Sequence, residues 1–370
     1  LQPVATLRNL PPGFAIRAAV DGLVPRTPAA DTFDEVVRAG LGPTMADRFY
    51  GPYARKLWGL APTEIAGEQA RRRVGASSPG AVLQRVLRGA DPEARTFLYP
   101  RRGFGQLWEA LADSASEAGA DIRLSTTVTG VESTDDGVVV TTDRGGRVEA
   151  ARAWSTIPLP VLAGLHPAPP AVRAAAASLR TRAMLLVYLV LPVGRWTPFD
   201  AHYLPEAWTP ITRISEPTNY RDGHPGPEPA RPTDPGDPND RTVLCAELPC
   251  DVGDRYWNAD DDDLAEVVTA AIDRAGLTCP DPFHVQTHRL PSAYPVYDLG
   301  FEDHLAVLDQ WARSLPGILS FGRQGLFVHD NSHHALSMAW AAADALSPDG
   351  FDAASWAAAR DRFASHVVED

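Results

Sequence analysis

The spacing of apolar residues changes character near residue 97. Before it, the pattern predicts helices separated by loops. Thr32 followed three residues later by Glu35 is typical of a capping pattern and opens one helix. An aromatic-rich helix is expected over residues 49–60, and a further helix carries Arg71, Arg72 and Arg73. Since no segment here alternates with the period of a strand, we expect the first 95 residues to be helical.

Beyond residue 97 the pattern predicts one helix and then short strands. Residues 105–118 place Leu107, Leu111 and Ala112 on one helix face, and Gly119 ends this helix. Asp-Gly and Gly-Gly turns separate the segments that follow. Strands are expected over residues 121–124, 126–132, 138–142, 147–150 and 153–157.

The second half of the chain alternates strands with helices. The continuous apolar run over residues 184–191 predicts a buried strand. Residues 222–240, rich in Pro, Gly and Asp, are expected to form a surface loop. Asp260 to Asp263 lie at the start of a predicted helix. Carboxylates in a first helical turn complement the helix dipole, so we expect no metal site there. The other predicted strands are 242–248, 283–290 and 318–321, and the other predicted helices are 260–275, 301–314 and 331–346.

Composition narrows the class of protein. The 370 residues allow about two domains, and 44% hydrophobic with 22% charged residues is ordinary for a globular protein. A net charge of -13 argues against a nucleic-acid surface, and the longest apolar run is too short to cross a bilayer. The three cysteines are expected to be reduced packing residues. Lys56 is the only lysine, which indicates high-GC codon bias, so we expect a bacterial protein. The acidic composition and the lack of a membrane-spanning run lead us to expect a cytoplasmic one.

The stretch from residue 318 to residue 346 carries the most chemical information. A short apolar strand ends in Gly322-Arg323-Gln324-Gly325, and a helix rich in small residues begins near Asn331. Free N–H groups at a helix start, with glycine nearby, favour an anionic cofactor. Taken alone, the same pattern also fits plain packing of a helix on a sheet.

This strand, Gly-Arg-x-Gly turn and helix resemble the C-terminal flavin motif of the FAD-dependent amine oxidase, protoporphyrinogen oxidase and UDP-galactopyranose mutase superfamily. Other segments resemble that superfamily in the same order, so the likeness spans nearly the whole chain. They are the aromatic helix at residues 49–59, the Tyr-Pro entry at residues 99–105, the strand at 127–131, the strand at 155–160 and the Tyr-Pro segment at 294–298.

The resemblance implies an α/β fold of mixed type, in which a Rossmann-like FAD-binding domain is interleaved with a substrate domain of mixed sheet and helices. No GxGxxG turn occurs, so the FAD domain is expected to be incomplete at its N-terminus and the chain alone to bind FAD weakly. The expected FAD-domain parts are residues 96–165 and 291–346. The substrate domain takes 1–95 and 166–290, and a C-terminal helix takes 347–370.

The same resemblance implies site residues, with FAD as the cofactor. Arg213, Tyr294 and Tyr297 are expected on the substrate side, Arg213 because its segment resembles the mutase strand that faces the substrate diphosphate. The residues themselves also allow a salt-bridged strand arginine and two core tyrosines. Cofactor contacts are expected from Gly103, Val128, Thr156, Pro158, Gly322, Arg323, Asn331, His333, His334 and Ala335.

The function implied is that of a FAD-dependent oxidoreductase, in which flavin N5 accepts hydride from a small-molecule substrate. One alternative is a mutase-like, non-redox enzyme acting on a nucleotide sugar. Another is a truncated, inactive remnant. No catalytic side chain is assigned. Lys56 is expected to be a surface lysine, and His329, which stands where mutases place a tyrosine, is not expected to form a metal site with His333 and His334.

Overall fold

The computed structural model describes residues 12–22, 24–74, 98–220, 241–347, 350–364, 366 and 368. Helices come first among the described residues, as the sequence predicts, and Thr32 accepts the N–H of Glu35 at 3.3 Å. The aromatic segment forms a π-helical turn at Ala46–Tyr50 that runs into the next α-helix. This first group comprises α1 (Pro12–Gly22), α2 (Phe33–Leu41), α3 (Pro43–Met45), α4 (Gly51–Trp58) and α5 (Gly67–Arg73).

A helix and an antiparallel meander follow. The helix is α6 (Gly105–Glu117), and β1 (Val128–Thr134), β2 (Gly137–Thr142) and β3 (Arg147–Ala150) pair in that order. The strand predicted over residues 121–124 is wrong: this segment is irregular, and Ile122 and Leu124 are exposed. A strand needs a hydrogen-bonded neighbour, and no strand in the described residues pairs with it. The predicted apolar face of α6 is likewise uncovered, since none of its residues is buried.

The largest sheet is antiparallel, with five strands among the described residues in the order β6-β7-β8-β5-β9. The apolar run at residues 184–191 forms part of the strand Arg180–Leu191 in this sheet, as predicted. The predicted loop at 222–240 lies outside the described residues. The sheet strands are β5 (Arg180–Leu191), β6 (Ala201–Tyr203), β7 (Arg213–Ser215), β8 (Thr242–Cys250) and β9 (His284–Val296).

Both faces of this sheet are covered. On one face Leu185 and Leu189 pack against the helix α9 (Asp261–Arg274), and on the other Met184 packs against the first group of helices. This alternation follows from the period of two in a strand. Asp260 caps α9 by accepting the N–H of Asp263 at 2.9 Å, and Asp261, Asp262 and Asp263 lie in the first turn, where the helix-dipole interpretation places them.

A smaller parallel pair joins β4 (Ala153–Ser155) to β10 (Ile318–Ser320). The mixture of helices and strands confirms the predicted fold class, and the three cysteines are free. No described helix is long and apolar enough to span a membrane. The remaining elements are α7 (Leu159–Leu165), α8 (Pro170–Ser178), α10 (Phe301–Ser314), α11 (Gly322–Gly325), α12 (Ser332–Asp344), β11 (Leu346–Ser347), β12 (Gly350–Phe351) and α13 (Ala353–Phe363).

Candidate active site

A cavity of about 160 Å³ lies where the first helices, the antiparallel sheet and the Gly322 turn meet. We call it the arginine cavity, because guanidinium groups from three parts of the chain line it. Most of its wall is aromatic. The lining residues are Phe33, Tyr50, Tyr53, Leu57, Trp58, Arg73, Val74, Tyr203, Arg213, Glu247, Tyr294, Arg323 and Asn331.

One end of the arginine cavity carries two cations around one ring. The guanidinium carbons of Arg73 and Arg323 lie 5.2 Å and 4.9 Å from the ring centroid of Tyr294. Arg323 donates to the carbonyl of Ala293 at 2.8 Å, while its Nε is buried without a hydrogen-bond partner. Within the described residues neither arginine has a carboxylate within ion-pair distance. Burial lowers the pKa of the Arg323 guanidinium, so an anion placed here would relieve an unbalanced positive charge.

The other end holds a paired arginine. Arg213 on β7 donates from Nε to Oε1 of Glu247 on β8 at 3.0 Å, and from Nη2 to the same oxygen. Burial disfavours the charged guanidinium, but the Glu247 carboxylate outweighs this effect and raises the pKa of Arg213. The salt-bridged strand arginine that the residues alone allowed is therefore present, and it lines the cavity as well.

The Gly322 turn connects the cavity to the parallel strands. Gly322 has φ +80°, a conformation that favours glycine, and a Cβ there would lie 3.7 Å from the Thr156 side chain. The hydroxyl of Ser155, at the end of β4, is buried without a partner among the described groups. Both strands of the pair thus end beside one glycine turn, the edge at which open parallel sheets bind ligands.

The helix α12 begins beside this turn with a capping box. Asn331 is the N-cap residue, and its backbone N–H is accepted by Nδ1 of His334 at 3.2 Å. The capping box supplies an acceptor for the N–H of His334, while the N–H groups of Ser332 and His333 have no acceptor within the helix, so these two are available to an anion. This helix start, Gly322 and the unpartnered hydroxyl of Ser155 fit the anionic part of a dinucleotide such as FAD.

The other predicted cofactor residues are more dispersed. His333 is exposed and its ring centroid lies 3.9 Å from that of His334, while Ala335 is half-buried in the same helix. Pro158 precedes α7, and Val128 begins β1 opposite Thr142. Gly103 has φ +93° in the turn before α6, where a Cβ would have nothing within 4 Å. Their contact with FAD remains a proposal.

Tyr297 lies in the core and does not line the arginine cavity. Its ring stacks on Phe301 with centroids 4.0 Å apart, and its hydroxyl donates to the carbonyl of Phe327 at 2.9 Å. Phe327 has φ +55°, an uncommon conformation for a residue with a side chain, so this hydrogen bond holds a strained link between α11 and α12. We therefore expect Tyr297 to act by packing.

His329 supports Tyr294 from the buried side. It is 2% exposed, its Nε2 lies 2.9 Å from the amide nitrogen of Gln69, and its ring stacks near Tyr294. Burial and the nearby arginines hold the pKa of His329 well below its ordinary value. The imidazole is therefore neutral at neutral pH and adds no charge to the cavity.

The expectation of a surface Lys56 is wrong. Its ammonium is largely buried and donates to the carbonyls of Leu204 and Ile211, the latter at 2.8 Å, and burial lowers its pKa to about 8. Lys56 thereby holds the segment between β6 and β7 to α4. It does not line the arginine cavity.

Sequence reasoning assigned four of the thirteen lining residues to the site, and Arg73, Tyr203 and Glu247 are among those it missed. The sequence pattern places Arg73 in a basic helix end and gives no reason to expect it in a cavity. For Glu247 a signal was present, because it is a single charged residue between apolar neighbours in β8. Tyr203 carried no comparable signal. Conversely, Arg213, Tyr294, Arg323 and Asn331, which are distant in sequence, line the same cavity.

The chain resembles known proteins in its sequence and in its fold. The family model described as flavin containing amine oxidoreductase matches residues 24–346. Among proteins of curated function, none matches the chain in sequence.

Solved structures show the likeness of fold. A reduced UDP-galactopyranose mutase has 18% identity and a TM-score of 0.74, covering 100% of this chain and 80% of that one. A protoporphyrinogen oxidase from Exiguobacterium sp. 255-15 has 19% identity and a TM-score of 0.58, covering 84% of this chain and 67% of that one. Wild-type putrescine oxidase bound to putrescine has 16% identity and a TM-score of 0.51, covering 95% and 73%.

Proposed function

The chain belongs to the flavin-containing amine oxidoreductase family, whose cofactor is FAD, and from that premise we propose that it is an oxidoreductase acting on an anionic small molecule. When bound, the flavin supplies a hydride acceptor at N5. The substrate would lie in the arginine cavity, which reaches from the antiparallel sheet to the turn at Gly322.

The observation that carries the proposal is the pair of arginines Arg73 and Arg323, at one end of an aromatic cavity, for which the described part of the chain offers no carboxylate partner. A unit positive charge placed about 5 Å from one guanidinium is repelled by about 3 kcal/mol at an effective dielectric constant of 20. A protonated amine entering here would meet that repulsion from both groups. A carboxylate or phosphate would instead accept hydrogen bonds from planar guanidinium donors.

The other lining residues have supporting roles in this proposal. Arg323 lies in the glycine turn and also faces the cavity, so it would orient the anion relative to the cofactor edge. Tyr294 provides a ring over which both guanidinium groups lie. The buried rings of Tyr53 and Trp58 would exclude water from the substrate.

A mutase-like, non-redox reaction on a nucleotide sugar is the second candidate. It is supported by Arg213 and Tyr294, which line one cavity together as the resemblance to the mutase segments implied. A nucleotide sugar carries a diphosphate, so the same arginines would bind it. Both candidate reactions thus use an anionic substrate. They differ in whether the flavin oxidises that substrate.

An absorption spectrum of the purified protein with added FAD tests the proposal first. At a FAD concentration high enough to offset the weak binding expected without a GxGxxG turn, we expect uptake of FAD, followed by anaerobic bleaching with a carboxylate substrate but not with the amide of the same compound. Arg323→Gln should abolish the bleaching, whereas Arg48→Gln, an exposed arginine of the neighbouring π-helical turn, should not.

The alternatives give different results. Turnover of a nucleotide sugar only with prereduced flavin would support the mutase-like reaction. Protein that takes up no FAD would contradict both reactions and support an inactive remnant. Bleaching by amines alone would contradict the anionic substrate.

A further inference from the structure

A second group of polar side chains lies beside the start of α12, apart from the residues that line the arginine cavity. Asp330, His334 and His366 each offer one ligand atom, and these atoms lie within 4.8 Å of one another. Nδ1 of His366 is 2.9 Å from one carboxylate oxygen of Asp330, and Nδ1 of His334 is 3.9 Å from the other. We call these three residues the histidine cluster.

Asp330 is the unusual member of the histidine cluster. Its side chain is fully buried, and its Oδ1 has no hydrogen-bond partner among the described groups. A buried carboxylate with an unsatisfied oxygen is costly unless a cation or a donor compensates for it. Both imidazoles approach this carboxylate, and neutral imidazole is the form that binds metals.

His366 reaches the cluster from the C-terminal segment that follows α13. This segment is held in place independently: the N–H of Val368 donates to the carbonyl of Arg72 at 3.2 Å, and Nη2 of Arg72 donates to the carbonyl of Ala364 at 3.3 Å. The third ligand is thus positioned by backbone contacts, and its place does not depend on the imidazole alone.

We propose that the histidine cluster binds one divalent cation of the zinc type through Asp330, His334 and His366. Two imidazoles and one carboxylate form a donor set that Zn²⁺ prefers and that Mg²⁺, which takes oxygen ligands, does not. Metal–ligand bonds of about 2.0–2.2 Å place ligand atoms roughly 3–3.5 Å apart, so the cluster must contract. The rings of His334 and His366 are stacked, with centroids 4.2 Å apart and 16° between their planes, so one ring must also rotate for both nitrogens to point at one ion. Three protein ligands leave a fourth position open to water.

Two features oppose the cation and set how tightly it can bind. Nδ1 of His334 now accepts the N–H of Asn331, and the metal would take over that lone pair. The guanidinium groups of Arg72, Arg73 and Arg323 face the neighbouring His329 and add positive charge nearby. The buried carboxylate of Asp330 offsets both effects, since it is the one anionic group in the cluster.

Zinc titration of the untagged, EDTA-treated chain tests this site without any need for flavin. Isothermal titration calorimetry with Zn²⁺ alone should show one ion per chain, and Mg²⁺ should show no binding. Replacing a residue that only hydrogen-bonds to a metal ligand typically lowers metal affinity about 10–100-fold. Asp330→Asn or His366→Gln removes a ligand itself, so the Zn²⁺ affinity should fall about 100-fold or more. His304→Gln, which removes an exposed histidine of α10, should leave the affinity unchanged.

Thermal unfolding provides the second readout. Zn²⁺ should raise the Tm of the wild-type chain and of His304→Gln but not that of His366→Gln, because only a folded state that binds the ion is stabilised. If Asp330→Asn does not fold, His366→Gln still decides the question. No saturable zinc binding, or equal binding in all variants, would overturn the proposal and leave an Asp330–His366 hydrogen bond without a metal.

Discussion

The two ends of the arginine cavity use the same side chain in opposite ways. At the sheet end, Arg213 is neutralised by Glu247, while at the glycine-turn end Arg73 and Arg323 share one tyrosine ring and have no carboxylate partner among the described residues. Net positive charge is therefore concentrated beside Gly322. The difference indicates that the turn end binds the anion and that the sheet end shapes the cavity.

The change with the largest expected effect is Arg323→Gln. Truncating a buried charged partner typically costs 2–5 kcal/mol, so the affinity for inorganic pyrophosphate should fall about 30-fold or more. Calorimetric titration measures this, with Arg48→Gln as the control. Equal affinity in Arg323→Gln and wild type would remove the distinction between the two ends.

Arg73→Gln should have a similar but smaller effect. Arg73 is half-buried at the end of α5 and, unlike Arg323, has no buried nitrogen without a hydrogen-bond partner. The pyrophosphate affinity should therefore fall about tenfold, the value of one charge-assisted hydrogen bond. A larger loss than that of Arg323→Gln, in the same titration, would move the centre of anion binding away from the glycine turn.

Glu247→Gln tests whether Glu247 neutralises Arg213 at the sheet end of the arginine cavity. It frees Arg213, so anion affinity should rise severalfold while the free energy of unfolding falls by about 1–3 kcal/mol, because a charge-assisted bond is lost. Urea unfolding and pyrophosphate titration measure the two effects. A fall in anion affinity would show that Glu247 is needed to position Arg213 for the ligand.

Lys56→Met tests a buried charge outside the cavity. Burial lowers the pKa of Lys56 to about 8 from 10.5, so between these values the unfolded chain holds more protons and the free energy of unfolding rises with pH. The partly solvated ammonium should contribute ~1–2 kcal/mol to this rise. Urea unfolding at pH 8 and pH 10 should show a smaller rise for Lys56→Met and an unchanged rise for Arg55→Met.

Tyr297→Phe should have the smallest effect on the cavity. It leaves the buried carbonyl of Phe327 without its donor, which should lower the free energy of unfolding by about 1–2 kcal/mol. Pyrophosphate affinity should not change, because the ring lies in the core. A tenfold loss of pyrophosphate affinity in Tyr297→Phe would show that Tyr297 contributes to substrate binding after all.

Local patterns in the sequence were sufficient for most of the fold. Periodicity and caps placed the helix Phe301–Ser314 and the strand Arg147–Ala150 at the bounds they have, since these elements depend on neighbours close in sequence. The strand expected over residues 121–124 failed because a strand also needs a pairing partner, which the local pattern does not contain. β9 runs farther than expected, to Val296, because pairing with β5 extends it.

The candidate site could be predicted only in part. The glycine turn and the helix start at Asn331 have local signals, and family resemblance pointed to Arg213 and Tyr294. Arg73 and Glu247 become site residues only through tertiary packing that joins α5 and β8 to the turn. The buried position of Lys56 depends on carbonyls about 150 residues away in the chain. Asp330 and His366 meet in the same way, across a long separation in sequence.

Titration of the protein in saturating FAD, which would occupy the helix start at Asn331, with inorganic pyrophosphate and, separately, with putrescine tests the central claim most directly. The account predicts one pyrophosphate site whose affinity falls with added salt and is weakened by Arg323→Gln, and no measurable binding of the diammonium ion. Binding of putrescine in the arginine cavity, with pyrophosphate excluded, would contradict it.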